Sequence, residues 1–400
     1  MVIRALEFYS GIGGLHLALK RSSVVATVVR AFDWDQTACR VYEANYGTDI
    51  AVKTDISTLT ASNLIPLNAS LWLMSPACQP YTVLNPGAAG AADPRAKSFI
   101  HLIVTVLPDM MAKQCAPTWL LVENVAGFET STTRSLLVET LKRNGYRTVE
   151  FLLSPLQFGI PNSRLRYYLL AKYQTLKFAS PCSYSTEKNE NTTQNRLPGG
   201  SILSATCATD ICTSQIREIR DFLDPASQSN EIVVPDHVLE KRGRLFDIVL
   251  PSSRRTCCFT RSYTRMVEGT GSIIQMSENL DTTATFDQFF EAQRNQIMGQ
   301  HGDDPISILR PLKLRYFTPT ELLRLFCFIP LSSSSNDPQD DYMWPASVTT
   351  KSQYKLIGNS VNVEVVKNLL DYLFEGDDAG TAETNNAEYS SKIRHRCKDT

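Results

Sequence analysis

The stretch SPACQPYT, residues 75–82, places Cys78 between Pro76 and Pro80 directly after the apolar run SLWLM. A thiol in that setting is either a buried cysteine in a turn or a nucleophile held at the lip of a sheet. Taken alone, the residue favours the first, because free cysteine is among the most buried residue types. A second candidate is the glycine-rich stretch FYSGIGGLHLAL, residues 8–19. Glycines between a strand and a helix let a ligand approach the backbone and meet the helix N-terminus, although a tight structural turn explains them equally well. The acidic stretch FDWD, residues 32–35, follows about 20 residues on, where a carboxylate reaches ribose hydroxyls in nucleotide-type sites. Asp33 is that acid, Trp34 offers a ring to stack on adenine, and Asp55 of KTDIS offers a carboxylate to the adenine amino group. The phosphate-cradling pattern G-x-x-x-x-G-K-[ST] is missing from this loop, so a phosphate-free adenosine ligand fits better than ATP. S-adenosylmethionine is such a ligand.

The surrounding elements must hold these residues together. VIRALEFY, VVATVVRAF, SLWLMS and TWLLVE read as strands, and GLHLALKR, DQTACRVYEANYG, AKSFIHLIVTVLPDMMAKQ and TRSLLVETLKRNG as helices. Strands alternating with helices argue for an α/β fold with a mostly parallel sheet, which binds ligands at the carboxyl ends of its strands. Residues 180–200 are rich in Ser, Asn, Thr and Pro, and the chain up to about Ile308 shows weak periodicity, as a smaller inserted domain would. Helical order resumes in TPTELLRLFCF, with Thr318 as N-cap and Glu321 as its capping-box partner. SSSSNDPQDD, residues 332–341, reads as a polar loop. In NVEVVKNLLDYLF, positions 363, 366, 369, 370 and 373 mark one apolar helix face. The expected organisation is a first catalytic part over 1–179, an insertion over 180–310, a completing segment over 311–375 and a disordered tail over 376–400.

Of the 400 residues 43% are hydrophobic, enough for a sizeable core, and 40 basic side chains nearly balance 41 acidic ones. Net charge therefore announces no partner, though a local basic surface remains open. The ten cysteines form no C-x-x-C pair and only five histidines are present, so no metal site is expected. There is no apolar run long enough to span a membrane and no signal-peptide pattern, which points to an intracellular protein, in cytoplasm, nucleus or both.

ENVAGF (123–128), QFGIPNSRLRYYLLA (157–171), LRYFTPTELLRLF (314–326) and LIGNSVNVEVV (356–366) join the two opening motifs in order. Together the segments resemble the cytosine-5 methyltransferase family over residues 1–175 and 311–374. The resemblance implies a Rossmann-like S-adenosylmethionine-dependent methyltransferase domain carrying a smaller target-recognition domain. It assigns Cys78 to covalent addition at carbon 6 of a flipped cytosine, which makes carbon 5 nucleophilic enough to take a methyl group. Glu123 would hydrogen-bond the exocyclic amine and ring nitrogen 3, and needs a raised pKa to supply a proton. Arg164 and Arg166, expected on one strand face, would bind the cytosine carbonyl, hold Glu123 and help lower the Cys78 pKa. For the cofactor it implies Phe8, Ile12, Gly13, Gly14, Asp33, Trp34, Asp55, Ile56, Ala77, Asn359 and Ser360. Gln79 would face the substrate. Ala77 stands where the family usually has a second proline before the cysteine.

CCFTRSYTRMVEGTGSIIQ, residues 257–275, resembles the signature of the DNA methyltransferase 2 homologue subfamily through Cys258, Phe259, Thr260, Arg261 and Tyr263. That subfamily methylates transfer RNA, chiefly cytosine 38 in the anticodon loop of tRNA-aspartate. The resemblance implies tRNA as partner, and a monomer is expected. Basic contacts would come from Lys241, Arg242, Arg244, Arg254, Arg255, Arg261 and Arg265. An anticodon-loop cytosine is already unpaired, so extruding it costs less than for a duplex base. Val83 replaces the subfamily's usual arginine after the cysteine motif, and residues 85–97 are rich in Ala and Gly. Two other readings stand beside this one: a DNA cytosine-5 methyltransferase, and a weakly active nucleic-acid-binding homologue.

Overall fold

The computed structural model describes residues 2–78, 81, 93–178, 202–204, 215–224, 232–298, 304–331 and 342–376. Gln79, Val83, most of the Ala/Gly-rich stretch, residues 180–200, the polar loop 332–341 and the tail from 377 lie outside the described residues. Eight strands form the main sheet: β1 (Ile3–Phe8), β2 (Ala26–Asp33), β3 (Ala51–Lys53), β4 (Leu71–Met74), β5 (Trp119–Val125), β6 (Tyr146–Leu153), β7 (Arg166–Tyr173) and β8 (Ile202–Ser204). Their order is β3-β2-β1-β4-β5-β7-β6-β8. β7 runs against both neighbours, and all other pairs are parallel.

β4 and β5 are buried on both faces, as near-continuous apolar runs such as LWLM require. Alternation sends Ala5, Leu71 and Leu73 to one apolar layer and Leu6, Phe8, Trp72 and Met74 to the other. The first layer is covered by α1 (Gly14–Arg21) and, from the far end of the chain, α11 (Val363–Phe374). α2 (Gln36–Tyr46) joins β2 to β3. The second layer is covered by α3 (Ala61–Leu64), α4 (Lys97–His101), α5 (Leu107–Ala112) and α6 (Thr132–Arg143). The chain thus leaves β1 and β4 toward opposite faces, which opens a crevice at their carboxyl ends.

Several expectations are met residue by residue. Thr318 caps α9 (Pro319–Leu325), with Glu321 completing the capping box. The five apolar positions of α11 are all buried. The single helix expected over AKSFIHLIVTVLPDMMAKQ is instead α4 and α5 joined by a π-helical stretch, Leu102–Val106. Pro108 follows at once, and the widened turn accommodates a residue with no N–H to give.

The chain beyond β8 supplies α7 (Asp236–Arg242), α8 (Thr282–Ile297) and a small sheet. Its strands are β9 (Ile248–Val249), β10 (Ile273–Gln275) and β11 (Leu314–Arg315). β11 follows position 310, so this sheet draws on both the insertion and the segment after it. α8, at 16 residues the longest helix among the described residues, lies where weak periodicity suggests only short mixed segments. It buries just Phe286 and Phe289, too narrow a stripe to stand out in the sequence. α10 (Thr350–Gly358) then leads to α11. Among the described residues no helix is long and apolar enough to cross a membrane.

Candidate active site

The irregular chain after β4 carries Cys78. Ser75 donates its N–H to the Phe8 carbonyl at 3.3 Å and its hydroxyl to the Tyr9 carbonyl at 3.0 Å. Asn124 Nδ2 donates to the Pro76 carbonyl at 3.3 Å. These bonds fix the turn against β1 and β5 and leave Cys78 half-buried. Glu123 sits near the end of β5 with 7% exposure. Because β7 is antiparallel, its first residue, Arg166, pairs with Val125, and its Nε lies 3.5 Å from Glu123 Oε1. Burial raises the Glu123 carboxyl above the usual range, against the pull of Arg166 and Arg164.

One expectation for the arginines needs correction and another is met. Arg164 precedes β7, which begins at Arg166, so the two do not share a strand, although both guanidinium groups turn toward Cys258. Arg164 is buried in irregular chain and donates to the carbonyls of Phe259 (2.8 Å), Gly358 (3.1 Å) and Ser360 (2.6 Å). It therefore ties the insertion and the C-terminal segment to the catalytic edge, and Arg166 alone is paired to Glu123. The expected help to the Cys78 thiol is present: Arg166 and Arg164 both pull it down. Burial is the larger influence and, with Glu123 adding to it, leaves the thiol raised. They also act on Cys258, which lies 3.4 Å from Arg164 Nη1 and 3.6 Å from Arg166 Nη2, and there their charges outweigh burial and leave the thiol lowered.

The glycine turn borders this pocket. Gly11 N–H donates to Asp33 Oδ2 and Asp35 N–H to Asp33 Oδ1, both at 2.7 Å. Burial raises the Asp33 carboxyl despite these bonds. Gly13 has φ +81°, and a Cβ there would sit 2.2 Å from the Tyr46 ring. A Cβ on Gly14 would lie 2.7 Å from Val361 Cγ2 and 3.0 Å from Ser360 Oγ, so the GNSV turn packs directly on the glycines. Trp34 is 71% exposed, with Lys53 Nζ 6.0 Å from its ring centroid. Asp55 Oδ1 accepts from the Ser57 N–H and hydroxyl. Asn359 is exposed at the end of α10 and Ala77 is half-buried. An open indole, a carboxylate bound to the glycine loop and a cradle without Cβ atoms fit S-adenosylmethionine.

The Phe8 ring leaves the cofactor set, being fully buried between Phe32 and Trp72. Ile12 and Ile56 are also core side chains, so only their backbones are available to a ligand. The insertion brings similar corrections. Phe259 is fully buried against Tyr263 and Phe317. Tyr263 donates to the Ser272 carbonyl at 2.8 Å and accepts from the Phe317 N–H at 2.9 Å. Thr260 packs on α10, where a Cβ at Gly358 would stand 2.3 Å from its carbonyl carbon. These residues wedge the insertion into place and leave their side chains little to offer a substrate.

Among the basic candidates, Arg244 is paired with Asp287 and stacked over Phe290, and Arg254 is paired with Glu218 at 2.8 Å. Lys241, Arg242, Arg255, Arg261 and Arg265 are exposed and form no ion pair among the described residues. Sequence reasoning missed Asn162, whose Nδ2 holds Thr256 Oγ1 (3.0 Å) and the Cys257 carbonyl (3.2 Å). Its only signal was its place inside IPNSRLR.

The fold and pocket define a methyltransferase of the α/β class, with an acid, a thiol and an arginine at the crevice beside an adenosine site. The family profile described as "C-5 cytosine-specific DNA methylase" matches residues 3–375, and the chain belongs to that family of S-adenosylmethionine-dependent enzymes. It is 35% identical to the human "tRNA (cytosine(38)-C(5))-methyltransferase", over 93% of this chain and 99% of that protein. It is 36% identical to a Dictyostelium discoideum "DNA (cytosine-5)-methyltransferase", over 93% of this chain and 94% of that protein. The crystal structure of the S. pombe Dnmt2 methyltransferase superposes with a TM-score of 0.70 at 35% identity, covering 94% of this chain and 99% of that one.

Proposed function

We propose that this protein methylates carbon 5 of cytosine 38 in the anticodon loop of a tRNA, tRNA-aspartate being the substrate expected from the resemblance, and that it acts as a monomer inside the cell. The observation that carries the chemistry is the buried Glu123–Arg166 pair within electrostatic reach of Cys78 at the crevice. The choice of tRNA rests on the activity named for relatives that align over nearly their whole length.

Cys78 gives its proton to solvent as the base enters, and the sulfur adds to carbon 6, forming the C–S bond while the carbon 5–carbon 6 π electrons shift into the ring. The ring electrons move toward nitrogen 3, where Glu123, its carboxyl raised by burial so that it can take up a proton, donates. Arg166 holds Glu123 and faces the pyrimidine carbonyl. S-adenosylmethionine supplies an electrophilic methyl group on a sulfonium. Carbon 5 would take that methyl and leave the cofactor as a neutral thioether; a base would then remove the carbon-5 proton, nitrogen 3 would return its proton to Glu123, and the C–S bond would break to return the thiolate. Asp33, Trp34 and the backbone of residues 11–14 orient the cofactor, and the exposed basic side chains of the insertion meet RNA phosphates.

The test is methyl transfer from labelled cofactor, with total tRNA and duplex DNA offered side by side and the modified position read by bisulfite sequencing. Label at position 38 of tRNA is the expected result. Transfer to DNA alone would replace the tRNA reading with the DNA one, and transfer to neither would favour the weakly active homologue.

A further inference from the structure

Three ties from distant elements hold the loop between β1 and α1. Asp33 of β2 accepts the Gly11 N–H at 2.7 Å, and Tyr46 of α2 donates its hydroxyl to the Gly13 carbonyl at 3.0 Å. The third comes from 330 positions along the chain, where the Tyr342 hydroxyl donates to the Ile12 carbonyl at 2.6 Å. The Tyr342 ring is seated edge-on between Phe328 and Trp344, with centroids 5.1 and 5.6 Å away. The main chain of the next residue, Met343, is gripped in both directions by Asn45. Its N–H donates to Asn45 Oδ1 at 2.8 Å, and its carbonyl accepts from Asn45 Nδ2 at 2.9 Å. Asn45 directly precedes Tyr46, so α2 and segment 342–344 together clasp two successive carbonyls of the loop.

The clasp matters because the loop offers backbone, not side chains. Ile12 is a core residue, and Gly13 and Gly14 have no room for a Cβ. Ligand affinity there depends on how the peptide groups are oriented before binding, and a loop ordered in advance loses less entropy on binding. With the Ile12 and Gly13 carbonyls committed to phenols, those peptide planes cannot rotate. We infer that Tyr342 is a positioning residue for S-adenosylmethionine, acting through the Ile12 carbonyl and anchored by the Asn45–Met343 pair. The inference rests on the reading that residues 11–14 bind the cofactor.

The experiment uses the full chain and S-adenosylhomocysteine as calorimetric probe, alongside steady-state methyl transfer. Tyr342→Phe removes one hydroxyl and keeps the ring. It should weaken S-adenosylhomocysteine binding and raise the cofactor KM roughly fivefold, the equivalent of one hydrogen bond of about 1 kcal/mol. The tRNA KM should stay put, and the unliganded melting temperature should fall by no more than about 2–4 °C, the loss of one hydrogen bond, whereas a merely structural role would not single out the cofactor. Asn45→Ala should produce the same split, and the double variant should be less than additive because both changes release one segment. Unchanged S-adenosylhomocysteine affinity in Tyr342→Phe, or an equal rise in the tRNA KM, would overturn the inference. Trp34→Ala separates the two levels: if it leaves S-adenosylhomocysteine binding intact, the cofactor-site reading itself is wrong.

Discussion

Cys78 and Cys258 sit near the same two arginines and experience them differently. At Cys258 the guanidinium groups are within hydrogen-bonding range of the sulfur, and their charge outweighs burial, so the thiol is lowered. At Cys78 burial dominates, Glu123 adds to the rise, and the thiol is raised. One sulfur is part of a settled network that locks the insertion onto the catalytic edge. The other is a half-buried thiol raised by its surroundings, which the proposed mechanism leaves to be activated by the entering base. The difference shows that proximity to cations does not identify a nucleophile. What identifies it is a sulfur open to a ligand beside an acid that can donate.

The sharpest way to break this contrast is to exchange the sulfurs for smaller groups. Cys78→Ala should cut methyl transfer by about 10³-fold or more, as loss of a covalent nucleophile does, while S-adenosylhomocysteine binding measured by calorimetry is retained. Cys258→Ala should cost only about tenfold, through loosened arginines; equal losses would erase the distinction. Next in size, Glu123→Gln should lower kcat by about 10² to 10⁴, the usual range for a positioned acid. The same variant should make Cys78 react faster with iodoacetamide at neutral pH, because removing a neighbouring negative charge lowers its pKa. Slower alkylation in that variant would contradict the electrostatic account.

The two arginines offer a subtler comparison. Arg164→Ala would leave three carbonyls without their donor, so the thermal midpoint should fall by about 5–10 °C, a loss of a few kcal/mol. Arg166→Ala should lower activity with a smaller effect on melting, since its partner Glu123 can be neutralised by protonation. The smallest expected effect is the pH dependence of alkylation in the wild type. Cys258 should titrate below an ordinary thiol and Cys78 above it, read by mass spectrometry of the two peptides.

Much of this site was legible in the chain because it is written locally. The glycine turn, Asp33, the Thr318 capping box and the apolar face of α11 each follow from a few neighbouring residues. The role of Arg164 was not, since its acceptors at Phe259, Gly358 and Ser360 lie far along the sequence and are backbone carbonyls, which carry no residue signature. Phe8 shows a second limit: residue spacing places it beside the ligand loop, but strand alternation turns its ring into the core between Phe32 and Trp72. Tyr342 was invisible for the same reason as Arg164, its acceptor being the carbonyl of Ile12.

The central claim is that Cys78, not Cys258, forms the bond to cytosine. A tRNA carrying 5-fluorocytosine at position 38 tests it directly, because fluorine at carbon 5 blocks the proton removal that precedes release. After incubation with S-adenosylmethionine and digestion, mass spectrometry should find the nucleotide attached to the peptide containing Cys78. An adduct on the peptide containing Cys258, or no adduct despite methyl transfer to unmodified tRNA, would contradict the account.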